Sequence, residues 1–385
     1  MTKIFNFPLL LISMCILLSS ISAGNADDYH VYVGTYTKGE SEGIYNFRFN
    51  SDTGSFSDVN LAAKASNPSF LAIHPSSDSL FAVLEDSNWD GVENSGGIAS
   101  YQLDRKTGDL EFVAAKPTYG AHPCHLEVHP KGTYVFFANY TGGSIGAYAI
   151  KGSRNLGSLT GFVQHTGGSI HRTRQKSPHG HSIHLAPGGK FLMSADLGVD
   201  CIWVHSFNPV DGTIGDHHPS KIPVRPGSGP RHFAFNPTSD QVLVLNEMSS
   251  ELSSYQYNKK KGTLAFQDKL KTLPTDYKKN NSTAEVVFHP NGKFSYSSNR
   301  GHDSIAVFET SKKGKLNRVQ VIKTGGKTPR NFNLGPTGNW LLAANQNSNT
   351  ITLFKVDSKS GKLTAFGEPI HIPNPVCVRF VKIRE

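Results

Sequence analysis

The sequence predicts an all-β protein, a seven-bladed β-propeller of four-stranded antiparallel blades whose ring closes by pairing strands from the two chain termini. Three observations lead there. The first is composition: 385 residues with 37 Gly, 21 Pro and only 18% charged residues, the β-branched and aromatic side chains falling in short runs. Helical bundles, coiled coils and helical solenoids need long amphipathic Ala/Leu/Glu-rich stretches, and these are missing. The second is a repeat: an apolar strand, His-Pro or a variant, Gly or Ser, then a second strand ending in Asn or Asp. The third is that the chain ends carry complementary fragments of one more such unit.

The first 26 residues stand apart. Lys3 supplies a positive start, Leu9 to Ile21 is almost continuously apolar, and Gly24-Asn25-Ala26 offers small residues for cleavage, so residues 1–26 read as a secretory signal peptide and the protein as exported, periplasmic or secreted. The apolar stretch is short for a membrane span and lacks stop-transfer charge, so no stable membrane anchor is expected. Met14 is too large for the position before a lipidated Cys15. Cleavage leaves Cys124, Cys201 and Cys377, too few and too widely spaced for a disulfide framework, although one pair could bridge in an oxidising compartment.

Residues 27–385 are expected to form a single domain. The clearest copies of the repeat centre on His129-Pro130 and His289-Pro290, with weaker ones at His74-Pro75, Ala186-Pro187, Asn236-Pro237 and Gly335-Pro336. Successive prolines lie 55, 57, 50, 53 and 46 residues apart, a span that fits four short antiparallel strands. A seventh blade is split: His30 to Phe56 has later strands without a leading one, and Pro375 to Val381 is a leading strand with nothing after it. Joining them removes the exposed sheet edges of an open array.

Each proline also serves as a ruler. Six residues before it, at the start of the leading strand, stand Ser69, Cys124, His181, Arg231, Ala284 and Arg330; ten residues after it, at the end of the second strand, stand Glu85, Tyr140, Leu197, Glu247, Arg300 and Gln346. The Pro-x-Gly turn lies at the other end of the hairpin, so all these positions line one mouth of the channel. Arginines there describe an anion site, because guanidinium groups present planar donors matched to carboxylate or phosphate. Glu247 and His181 are groups able to move protons near neutral pH.

Other signals are weaker. The net charge of +9 is dispersed, with no basic block longer than Lys259-Lys260-Lys261, which argues against nucleic acid. His165, His171, His179, His181 and His184 crowd one segment around Arg172 to Lys176 that reads as a blade-connecting loop, without the spacing of a metal site. His217-His218 read as part of an exposed turn. No Gly pair joins a strand to a helix as a phosphate loop would, and no G-x-S-x-G elbow marks a serine hydrolase.

Several segments together resemble the lactonase family of seven-bladed propellers, which includes propeller-type 6-phosphogluconolactonases and fungal carboxy-muconate lactonising enzymes. They are Tyr32 to Thr37 with Glu42 to Tyr45, His179-Gly180-His181-Ser182, Gly229-Pro230-Arg231-His232 with Asn246-Glu247, His289 to Phe294 with Ser298-Asn299-Arg300, and Thr328 to Phe332. The resemblance spans residues 29 to 382 and implies that His181, Arg231, Glu247 and Arg300 are catalytic. The ruler adds Arg330, Gln346 and Tyr140 beside Arg231 and Arg300 as substrate-binding positions. The implied ligand is a small anionic lactone or its ring-opened acid, with no metal or organic cofactor; hydrolysis of a sugar lactone is the leading expectation. A carboxy-muconate cyclase and a non-catalytic binding propeller are the alternatives. Among the residues, Arg231 and Arg300 would hold the anion, while Glu247 and His181 would divide the roles of base and acid.

Overall fold

The computed structural model describes Met1 and residues 28–384; the signal segment expected over residues 1–26 lies, past Met1, outside them. Seven sheets are arranged as blades. Their innermost strands, in chain order, are Leu71–Ile73, Pro123–Val128, Gly180–Leu185, Pro230–Phe235, Ser282–Phe288, Pro329–Leu334 and Pro375–Lys382, which open blades 1 to 7. The last of these pairs antiparallel with Asp28–Thr35, Tyr29 lying opposite Lys382 and Gly34 opposite Cys377, so the two ends of the described chain share blade 7. That blade continues outward through Gly43–Asn50 and Asn60–Lys64. The expected closure is therefore the one observed.

Blade 3 departs from the four-strand expectation. Its third strand, Cys201–Phe207, is flanked by two short pieces, Ile214–Gly215 and Lys221–Pro223, in place of one outer strand. The intervening Asp216 to Ser220 contains Pro219, which has no N–H to give to a ladder, so pairing lapses and resumes beyond it. His217 in this turn lies with Nε2 3.0 Å from the Lys261 carbonyl oxygen. Blade 1 carries an unforeseen small hairpin, Asn88–Trp89 with Val92–Glu93.

The apolar core sits between blades. Tyr134, Phe136 and Ala138 of blade 2 meet Ile183, Leu192 and Phe207 of blade 3, with Phe136 and Phe207 edge-to-face at 5.1 Å. Trp340 of blade 6 is wedged against Phe49 of blade 7 and donates its indole N–H to the Ser51 carbonyl at 2.6 Å. Each large buried ring stabilises such a seam by roughly 1.5–3 kcal/mol through the area it removes from water.

The His-Pro dipeptide has a structural use at the far end of the hairpins. His74 Nε2 lies 3.1 Å from the Gly132 carbonyl oxygen in the next blade, and His289 Nε2 lies 3.2 Å from that of Gly338. Gly132 must be glycine: its φ is +71°, and a Cβ there would strike the His74 ring. These histidines latch blade to blade on the side opposite the polar mouth. No helix among the described residues is long and apolar enough to cross a membrane.

Candidate active site

Two local devices place the polar side chains. At the start of the inner strands the ladder slips by one residue: Pro123 pairs with Asn139 but His125 with Ala138, and the same slip follows Gly180, Pro230 and Pro329. The skipped residues are Cys124, His181, Arg231 and Arg330. A β-bulge leaves its extra residue unpaired and re-aims its side chain, which brings these four to the axis. The second device is the Asn that ends the second strand. Asn246 Nδ2 donates to the Glu251 carbonyl and Ser253 Oγ, Asn299 Nδ2 to the Thr272 carbonyl and Ser304 Oγ, and Asn139 Nδ2 to the Thr118 carbonyl and Ser144 Oγ. Each clamps its hairpin end, and the next residue, Glu247, Arg300 or Tyr140, emerges at the mouth.

Glu247 is the hub. Its Oε2 accepts from Arg231 Nε at 3.1 Å and Arg300 Nη2 at 2.8 Å, and its Oε1 accepts from Arg174 Nη2 at 2.7 Å. Arg231 also donates to the Ala284 carbonyl at 2.5 Å and Arg300 to that of Thr283 at 2.7 Å. Burial would push the Glu247 carboxyl up, but Arg300, Arg231 and Arg174 outweigh it and bring it down to about 2. Burial lowers Arg300 to about 10, which leaves its guanidinium charged at neutral pH. Arg300 Nε is buried with no hydrogen-bond partner among the described residues.

His181 is buried, with Nε2 4.0 Å from Glu247 Oε2 and Nδ1 3.5 Å from Cys124 Sγ. Burial first, and Arg231 second, hold it well below the ordinary imidazole value, so it is neutral at neutral pH. Tyr140 stacks on His179 at 4.6 Å, meets His181 edge-on at 5.1 Å, and accepts from Arg174 at 3.0 Å. Arg330 lies against the Tyr36 ring and donates to its hydroxyl at 2.9 Å. A narrow neck is lined by Tyr36, Ser69, Glu85, Cys124, His181, Arg231 and Arg330 among others.

Of the residues expected from sequence, His181, Arg231 and Arg330 line this neck; Glu247 and Arg300 do not line it but converge with Arg231 and His181 beside it, and Tyr140 borders them. Gln346 neither lines the neck nor bonds to that group; it opens a short 3-10 turn and gives its backbone N–H to the Thr328 carbonyl at 3.0 Å. Two residues were missed. Arg174 comes from the connecting loop, outside the repeat. Tyr36 follows Thr35, which pairs with Pro375, as Gln346 follows Asn345, which pairs with Pro329; carrying the ruler through the split blade would have found it. Of the five clustered histidines, His179 and His181 meet at Tyr140 and the others disperse: His165 is buried against Asp196 at 2.8 Å, His184 pairs with Glu127 at 2.6 Å, and His171 accepts within its own turn. Among the described residues no group of three or more His, Cys, Asp or Glu is placed to hold a metal ion. Cys124, Cys201 and Cys377 are buried and unbridged.

Fold and neck together define a seven-bladed propeller with a guanidinium-rich axial cleft. The family model described as "Lactonase, 7-bladed beta-propeller" matches residues 30–380, and the chain belongs to that family. It is 34% identical to the 6-phosphogluconolactonase of Bacillus subtilis, over 92% of this chain and 98% of that one. The 6-phosphogluconolactonase of Formosa agariphila is 33% identical over 86% and 94%. Among solved structures, the periplasmic gluconolactonase of Pseudomonas aeruginosa superposes with a TM-score of 0.86 at 29% identity, covering 93% of this chain and all of that one.

Proposed function

We propose that this protein is an exported lactonase that hydrolyses a sugar-type lactone of the 6-phosphogluconolactone class to its open hydroxy acid. The observation that supports this most is the convergence on Glu247 of the Arg231 and Arg300 guanidiniums and the neutral buried imidazole of His181. Arg231 and Arg300 stabilise the oxyanion that forms at the lactone carbonyl, where positioned positive charge in a water-poor site has its largest effect. Arg174, with a side chain 41% exposed, meets an exocyclic anion such as phosphate at the rim. His181 takes the proton of the attacking water. Glu247 does not readily take up or give a proton, because a carboxyl at about 2 stays ionised; it fixes the three guanidiniums. Export rests on the apolar segment Leu9 to Ile21 behind Lys3.

The test is an assay of purified protein against glucono-δ-lactone, its 6-phosphate and carboxy-muconate. Opening of a sugar lactone above the spontaneous rate is expected. Turnover of carboxy-muconate alone would assign a cyclase, and silence on every compound from a folded protein would assign a binding propeller.

A further inference from the structure

The neck is lined by a carboxyl, Glu85, to which the reading above gives no role. Glu85 directly follows the second strand of blade 1, as Glu247 follows that of blade 4, three blades round a ring of seven and so across the axis. Its surroundings differ in kind. Tyr36 OH lies 3.0 and 2.9 Å from its two carboxyl oxygens, and Ser69 Oγ makes a short hydrogen bond to Oε2. Arg330 gives its hydrogen bond to Tyr36 OH, and its charge acts on Glu85 from beyond that hydroxyl. Glu85 is therefore held by hydroxyls, which serve a carboxylic acid as well as a carboxylate because they both donate and accept. Cys124, on the bulge between Glu85 and His181, lines the same neck.

Resting on the lactonase reading, we infer that Glu85 is the proton donor of the site, delivering a proton to the ring oxygen of the lactone as the acyl C–O bond breaks. Water adds its oxygen to the carbonyl carbon and gives one proton to His181. Collapse of the tetrahedral oxyanion expels the ring oxygen, which takes the Glu85 proton and leaves as the product hydroxyl. The site resets when the His181 imidazolium returns its proton, through solvent, to the Glu85 carboxylate. Burial, the largest influence, holds the Glu85 carboxyl above its ordinary value; Arg330, the Ser69 and Tyr36 hydroxyls and His122 pull the other way, and Cys124 faces it as a neutral thiol.

Glu85→Gln keeps the shape and removes the transferable proton. The expected result is a fall in kcat on the sugar lactone of about 100-fold or more, with KM unchanged and the melting midpoint at or above that of wild type. The decline of wild-type kcat at alkaline pH should vanish in this variant. An infrared difference spectrum, wild type minus Glu85→Gln, should contain a protonated-carboxyl carbonyl band that persists to neutral pH. Unchanged kcat, a loss that follows KM or the melting midpoint, or an ionised-carboxylate band at neutral pH would each overturn the assignment. Wild-type protein that opens no lactone while showing the protonated band would instead sink the lactonase reading and the role with it, but not the chemical state of Glu85.

Discussion

Glu247 and Glu85 occupy the same place in two blades, yet one sits among three guanidiniums and the other between two hydroxyls. The repeat fixes where a strand-end carboxyl emerges. Its chemistry is then decided by neighbours the repeat leaves free: the residue six before the proline of its own blade, the strand end of an adjoining blade, and any loop that reaches in. For Glu247 these are Arg231, Arg300 and Arg174; for Glu85 they are Ser69 and Tyr36. Burial pushes both carboxyls up; at Glu247 the three guanidiniums outweigh it and bring the group down to about 2, whereas at Glu85 the charge of Arg330 and the two hydroxyls do not, and the group stays above its ordinary value.

The strongest way to break this contrast is Glu247→Gln. Removing the one carboxylate that Arg231 and Arg300 share leaves two largely buried cations uncompensated, so stability should fall by about 3–5 kcal/mol in denaturant titration. Activity should fall about 1000-fold or more as the guanidiniums lose their positions. Arg231→Ala comes next, with kcat/KM reduced by about 100-fold, whereas Arg174→Ala, at the open rim, should raise KM several-fold and leave kcat near wild type. Equal effects from the two would mean that depth in the neck does not matter.

The pH dependence of stability sharpens the comparison. A group depressed from 4.5 to about 2 stabilises the fold above its unfolded-state value, and that contribution drains as the pH falls from about 4.5 towards 2. A raised carboxyl does the reverse: its contribution is present below 4.5 and is lost as the pH rises through the raised value. Melting curves should therefore show Glu247→Gln converging on wild type at strongly acid pH. Glu85→Gln should match wild type in acid and equal or exceed it towards neutral pH. The smallest effect is expected from His289→Ala, which cuts a latch at the far end of the hairpins: about 1–2 kcal/mol of stability and no change in kcat.

The ring and its closure were legible because proline spacing and the complementary termini are properties of the chain itself. So was the mouth, since a shared phase puts His181, Arg231, Glu247 and Arg300 at equivalent places. The bulges that turn Cys124, His181, Arg231 and Arg330 to the axis were not legible, because a one-residue slip of register leaves no compositional trace. Arg174 was hidden for another reason: it belongs to a loop whose path is set by contacts such as Gln175 Nε2 donating to the Leu197 carbonyl, not by periodicity. The fixing role proposed for Glu247, in place of the proton transfer expected of it, follows from its three cationic partners.

Proton release on mixing the protein with 6-phosphogluconolactone tests the central claim most directly. Wild type should release protons far faster than spontaneous ring opening, and Glu247→Gln at close to the spontaneous rate. A wild-type rate equal to the spontaneous one, or equal rates from the two proteins, would contradict the account.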